Sequence, residues 1–175
     1  MQGLVHIYTG DGKGKTTAAV GLGIRACGRG LRVLMVQFLK GSPTGEVKTI
    51  EKLNPGFVIH RGNEIKKFTW EMSMEELEEA KRVQQEIFNY AGSAASSNAW
   101  DMIILDEIMA AVAADMVSIA DVAGFIKSKP CDLEVVLTGR NAPNELIQLA
   151  DYVSEIKAVK HPMDKGIPAR EGIEL

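Results

Sequence analysis

The run Leu4-Val5-His6-Ile7-Tyr8, leading straight into the glycine-rich stretch Thr9 to Thr17 (TGDGKGKTT), constrains the fold more than any other part of the chain. A short apolar run, a glycine-rich turn, and then alanine and leucine at three- and four-residue spacing read as strand, anion-binding loop and helix. Such a unit is the first half of a crossover between parallel strands, which needs a sheet covered by helices. The loop itself is one residue short. A standard P-loop, G-x-x-x-x-G-K-S/T, keeps four residues between its first glycine and the Gly-Lys pair. Here only Asp11, Gly12 and Lys13 separate Gly10 from Gly14-Lys15-Thr16, and Thr9 stands where a full-length loop would begin.

The rest of the chain repeats the alternation of short apolar runs and helical patterns. Strands are expected at 4–8, 33–36, 57–60, 102–105, 133–137 and 153–159. Helices are expected at 15–29, around 117–127, at 144–150, and after a capping box formed by Ser73 and Glu76, with Leu77, Ala80, Val83, Ile87 and Tyr90 on the buried face. Residues 160–175, rich in charge, Pro and Gly, are expected to lack regular structure. The fold class predicted is α/β, a mostly parallel sheet flanked by helices, in one domain over residues 1–175.

Composition excludes several functions. A net charge of -3 and a pI near 5.7 give no footprint for nucleic acid or an anionic membrane, so any phosphate binding is local. No run approaches the roughly 20 apolar residues of a membrane span, and no apolar segment of signal-peptide type opens the chain, which predicts a cytoplasmic protein. Cys27 and Cys131 offer neither zinc spacing nor a disulfide framework and read as inert thiols.

The chemistry-bearing residues cluster at the ends of the expected strands. In the loop, backbone N–H groups and the following helix N-terminus suit phosphate oxygens; Lys15 neutralises phosphate charge and the Thr16 hydroxyl reaches a Mg²⁺ ion. Asp106-Glu107 closes a continuously apolar strand expected beside the loop strand, placed to complete the metal shell. Arg140 ends another strand and is the best extra cation for a polyphosphate, whereas Arg25 fits a surface position equally well. Phe68 and Trp70, in the polar segment Lys66 to Glu71, either wall a flat ligand or anchor their loop to the core, and composition alone favours the anchor.

Taken in order, TGDGKGKTTAAVGLGIRACGRG, VQFLKG, FTWE, WDMIILDEI, VVLTGRNAP and KHPMDKGIPAREGIE resemble the segments of the ATP:corrinoid adenosyltransferases, from about Gly3 to Glu174 and with the shortened loop included. The resemblance implies a RecA-like P-loop fold, usually as a homodimer. It implies transfer of the 5′-deoxyadenosyl group of ATP to the cobalt of a reduced cob(I) corrinoid, with release of intact triphosphate, in cobalamin synthesis or salvage. The nucleotide is expected to lie reversed along the loop, so that C5′ rather than the γ-phosphorus faces the nucleophile. By match to the family motif, Gly10, Asp11, Gly12, Lys13, Gly14, Lys15, Thr16 and Thr17 cradle the triphosphate, with Lys15 and Glu107 the catalytic residues and Thr16, Asp106 and Glu107 the partners of Mg²⁺ or Mn²⁺. Arg25 and Arg140 are the further nucleotide contacts, and Phe68 and Trp70 become corrinoid contacts that exclude the lower axial ligand. A flavoprotein reductase is the implied electron donor. Met109 stands where the family commonly has Asn, and Met163 where it has an aromatic. The rival readings are a P-loop kinase or ATPase and a nucleotide- or corrinoid-binding chaperone without turnover.

Overall fold

A computed structural model of the protein describes residues 2–40, 44–62 and 72–174. Phe68 and Trp70 lie outside these residues. Within them the chain forms β1 (Val5–Thr9), α1 (Lys15–Cys27), β2 (Val33–Gln37), α2 (Gly45–Glu51), β3 (Phe57–Arg61), α3 (Met74–Ser96), β4 (Met102–Asp106), α4 (Ile108–Ala113), α5 (Ile119–Ser128), β5 (Glu134–Thr138), α6 (Asn144–Ile147), β6 (Tyr152–Glu155) and a 3₁₀ turn at Pro162–Lys165. All strand pairs are parallel, in the order β3-β2-β4-β5-β1-β6. This is the predicted α/β class.

Alternation along the strands divides the core into two layers. Leu34, Val36, Ile103, Leu105, Val135 and Leu137 face α3 and α5, while Val33, Met35, Met102, Ile104 and Val136 face α1. Strands β2 and β4 are buried at every position, as strands covered by helices on both faces must be. Each fully buried aliphatic side chain contributes about 1.5–3 kcal/mol.

Ile50 of α2 joins the α1 layer, whereas Ile108 of α4 and Leu146 of α6 join the opposite one. The loops after β1 and β2 therefore leave toward one face and those after β4 and β5 toward the other. A crevice must open where they part, at the carboxyl ends of the strands.

Several expectations are corrected. Strand β4 is not beside β1, because β5 lies between them and pairs with both. The last strand ends at Glu155 and not at Val159, because beyond it the chain leaves the sheet edge to run along the glycine loop, where the Gly12 N–H donates to the Ile156 carbonyl at 2.8 Å. The buried face of α3 is Ala80, Gln84, Ile87, Phe88, Ala91, Ala94 and Ala95, while Leu77 and Tyr90 are exposed. Tyr90 stacks on His60 instead, with ring centroids 3.7 Å apart. The Ser73–Glu76 capping box is present in both directions. Helices α2 and α4 and the 3₁₀ turn went unpredicted; they are four to seven residues long, too short to display a period. Cys27 and Cys131 are both free thiols, half-buried and exposed respectively.

Candidate functional site

The loop between β1 and α1 is shaped by two glycines in different ways. Gly14 is the N-cap of α1 with φ 117°, a left-handed conformation that an L side chain resists, and it leaves the first N–H groups of the helix without a side-chain cap. Gly12 instead solves a close approach, since a Cβ there would sit 2.7 Å from the Ile156 carbonyl oxygen. Its N–H is engaged by that carbonyl, so in this conformation it points at protein and not into the cleft. Asp11 also faces the β6 extension: its carboxylate accepts from the Ala158 N–H at 3.3 Å, and this bond holds the group below the usual carboxylate range. Lys15 folds over the loop and donates to the Gly10 and Gly12 carbonyls, both at 2.8 Å. Burial pushes its ammonium down from the ordinary lysine range.

Asp106 is the hub of the site and is wholly buried. Its Oδ1 accepts from Thr16 Oγ1 and Thr138 Oγ1, each at 2.8 Å. Its Oδ2 accepts from Gln37 Nε2 at 3.2 Å and meets Lys40 Nζ at 3.1 Å. The loop and the acid strand thus touch through side chains although a whole strand separates their backbones. Thr138, on the intervening β5, makes the relay: it donates to Asp106 and accepts the Glu107 N–H at 2.9 Å. That bond helps hold Glu107 at φ 62°, a left-handed position for a non-glycine residue of the kind that collects at functional sites. Burial, and then the neighbouring Asp106 charge, push the Glu107 carboxyl above the usual glutamate range.

These groups open on a cleft of about 560 Å³, within the range of small-ligand sites. Residues 11–17 form its floor, and Lys13, Lys15, Lys40 and Arg140 bring four cations to its walls. Such a concentration of positive charge, beside a helix N-terminus and in a protein of net charge -3, suits a polyanion. Thr16, Asp106 and Glu107 are all oxygen donors. Because the Thr16 hydroxyl gives its proton to Asp106, its lone pairs are left for a cation. The described residues contain no group of three or more His, Cys, Asp or Glu able to cage a metal. Two carboxylates and a hydroxyl, all hard oxygen donors, fit a divalent ion of the Mg²⁺ type held jointly with phosphate oxygens.

Of the sequence candidates, Asp11, Gly12, Lys13, Gly14, Lys15, Thr16, Thr17, Glu107 and Arg140 line this cleft, and Asp106 sits directly behind Thr16. Gly10 abuts it, with its carbonyl on Lys15. Arg25 does not join them; it is exposed on α1, its charge near the Tyr8 hydroxyl. Lys40 and Thr138 were missed. Both stand at or just beyond the carboxyl end of a buried strand, the same signal that singled out Arg140. The segment 172–174 and His161, from the tail expected to lack regular structure, also line the cleft. Met109 is buried and packs against the Gly139 backbone. Among the described residues no helix is long and apolar enough to cross a membrane.

Comparison with known proteins places the chain in a family. The family model for "ATP:corrinoid adenosyltransferase BtuR/CobO/CobP" matches residues 1–175. The corrinoid adenosyltransferase of Escherichia coli K12 is 36% identical over 174 residues, covering 99% of this chain and 86% of that protein. Its Salmonella typhimurium counterpart is 35% identical over 174 residues, with the same 99% and 86% coverage. A corrinoid adenosyltransferase of Sinorhizobium is 38% identical over 185 residues, covering 99% of this chain and 81% of the relative.

Proposed function

The chain belongs to the ATP:corrinoid adenosyltransferase family, and on that premise we propose how its cleft performs the family reaction. The protein is a transferase that moves the adenosyl group of ATP to a corrinoid. In our reading the acceptor is the cobalt of a reduced cob(I) corrinoid. Its electron pair forms the bond to C5′, the C5′–O5′ bond breaks, and triphosphate leaves with the pair of the broken bond. The nucleophile carries no proton to remove, so no general base is required. The protein's work is to position C5′ and to stabilise charge on the leaving group.

The observation that carries this reading is the gathering of Lys13, Lys15, Lys40 and Arg140 around a short loop whose Thr16 contacts a buried acid. Lys15 exchanges its two loop carbonyls for triphosphate oxygens, and Arg140, which lines the same cleft, binds the same group. Thr16, Asp106 and Glu107 would hold a Mg²⁺ or Mn²⁺ ion, which when bound supplies positive charge to the leaving triphosphate. Phe68 and Trp70 are assigned to the corrinoid face by family resemblance. The protein acts as a single domain over residues 1–175, in the cytoplasm, as a homodimer, with a flavoprotein reductase supplying the electron for cobalamin synthesis or salvage.

Anaerobic incubation with ATP, Mg²⁺ and chemically reduced cob(I)alamin or cobinamide is expected to yield a light-sensitive cobalt–carbon product and intact triphosphate. Lys15→Ala should lower turnover by at least about 100-fold, the scale of losing one group that stabilises developing charge. ADP and phosphate without alkylated corrinoid would overturn the assignment, as would near-normal turnover in Lys15→Ala overturn the role of that lysine.

A further inference from the structure

Lys40 is held with more care than a surface lysine needs. It follows Leu39, a non-glycine residue at φ 53°, whose N–H donates to Oε1 of the buried Gln84 at 3.0 Å. This bent connection turns the Lys40 side chain back over the end of β2, where it is 20% exposed and lines the cleft. Its ammonium lies 3.1 Å from Asp106 Oδ2 and 3.8 Å from Glu46 Oε1. Among the described residues, the other side-chain contacts of Asp106 come from Thr16, Thr138 and Gln37, which are neutral. Among these residues Lys40 is therefore the cation that balances this buried carboxylate, and a buried charge without such a partner is costly.

A divalent ion held by Thr16 and Asp106 would take over that balance. An ammonium and a dication on one carboxylate repel, so one of them must withdraw. Lys40, Lys15 and Glu46 line the same cleft, so a phosphate bound over the loop is the anionic group to which a displaced Lys40 would turn.

We propose that Lys40 is a placeholder cation, neutralising Asp106 while the cleft is empty and passing to a phosphate oxygen of ATP when a divalent ion takes over Asp106. The inference rests on the metal–ATP reading above and gives Lys40, one of its four cations, a role that reading leaves open. It makes two opposed predictions for Lys40→Gln. Manganese(II) alone, titrated by electron paramagnetic resonance without nucleotide, should bind about tenfold more tightly than to the unaltered protein, because its competitor is gone. ATP in the presence of saturating Mg²⁺, titrated calorimetrically, should bind about tenfold more weakly, because a phosphate contact is lost. Lys40→Arg, which keeps the charge, should restore ATP binding. Manganese binding that is unchanged or weakened, or ATP binding that is unchanged, overturns the proposal.

Should Lys40→Gln fail to fold, the unaltered protein with ¹³C-methylated lysines provides the second test. The Lys40 resonance, identified by its loss in Lys40→Arg, is expected to shift on addition of Mg²⁺ alone and again on addition of ATP. A resonance unmoved by Mg²⁺ overturns the proposal. None of these titrations contains a corrinoid, so their failure would leave adenosyl transfer standing, and a failed transfer assay would leave the competition at Asp106 intact.

Discussion

At the scale of single residues, the site depends on side chains that never line the cleft. Thr138 is completely buried, yet its hydroxyl joins the acid strand to the backbone of Glu107. Thr138→Val keeps the volume and removes both bonds, leaving the Glu107 N–H unpaired and Asp106 Oδ1 with Thr16 alone. An unsatisfied buried group of this kind costs about 1–3 kcal/mol, which urea unfolding at neutral pH should register as a lowered midpoint with unchanged slope. Adenosyl transfer should fall as well, since Glu107 would no longer be held in its left-handed position. A variant as stable and active as the parent would show that the relay carries neither load.

At the scale of elements, the glycine loop is best understood as an extension of the β6 edge. Thr9 and Ile156 continue the ladder at 2.8 Å, Gly12 bonds to the Ile156 carbonyl at 2.8 Å, and Asp11 takes the Ala158 N–H. A loop one residue shorter than the standard motif is thus fastened through its first half to the segment that follows β6. Gly12→Ala places a Cβ 2.7 Å from a backbone oxygen that cannot rotate away, so the loop and β6 must separate. Overpacking of this kind costs about 1–3 kcal/mol, and hydrogen exchange at residues 152–158 should accelerate together with loss of ATP binding. Gly21→Ala is the contrasting case. Gly21 is an exposed position in α1 with open space where the methyl would go, so this change should stabilise by roughly 0.5–1 kcal/mol and leave ATP binding untouched. These contacts also show why the sequence was legible in some places and not in others. The strand–loop–helix unit, the capping box of α3 and the acids after β4 each announce themselves locally, through period, cap chemistry or a sharp change from apolar to charged. The tether of the loop to Ile156 and the approach of Lys40 and Thr138 to Asp106 join residues far apart in sequence, and no local pattern encodes which strand lies between two others. Arg25 stands outside the cleft for the converse reason: its helix begins at the site, but the residue lies almost three turns further on.

At the scale of the whole molecule, the sheet separates a stabilising edge from a functional one, and β4 carries carboxylates of opposite character at its two ends. Before its first residue, Asp101 forms a two-pronged pair with Arg32, with Nη2 to Oδ1 at 2.8 Å and Nε to Oδ2 at 3.0 Å, and this bonding holds its carboxyl down at about 2. A folded value below the unfolded one stabilises at higher pH: the contribution is complete above about pH 4 and is lost as pH falls through about 2. Both side chains are partly exposed, so the pair is worth about 1 kcal/mol at most. Glu107, beyond the other end of β4, has the opposite sign, since burial and Asp106 raise its folded value. Its contribution is fully present below the ordinary glutamate range and is lost as pH rises through the folded value, so the ionised form costs stability at neutral pH. Asp101→Asn should therefore destabilise by up to about 1 kcal/mol at pH 7, with the difference narrowing as pH falls from 4 toward 2, and should leave adenosyl transfer unchanged. Glu107→Gln should raise the melting temperature at pH 7, with no difference below the ordinary glutamate range, and should impair transfer. The two sites lie a full strand apart, at about 3.3 Å per residue, so the double variant should show the sum of the single effects within about 0.5 kcal/mol. Thermal unfolding of the four proteins across this pH range measures all of these terms together, and a Glu107→Gln variant less stable than its parent at pH 7 would show that the glutamate is retained for its contacts and not in spite of its charge.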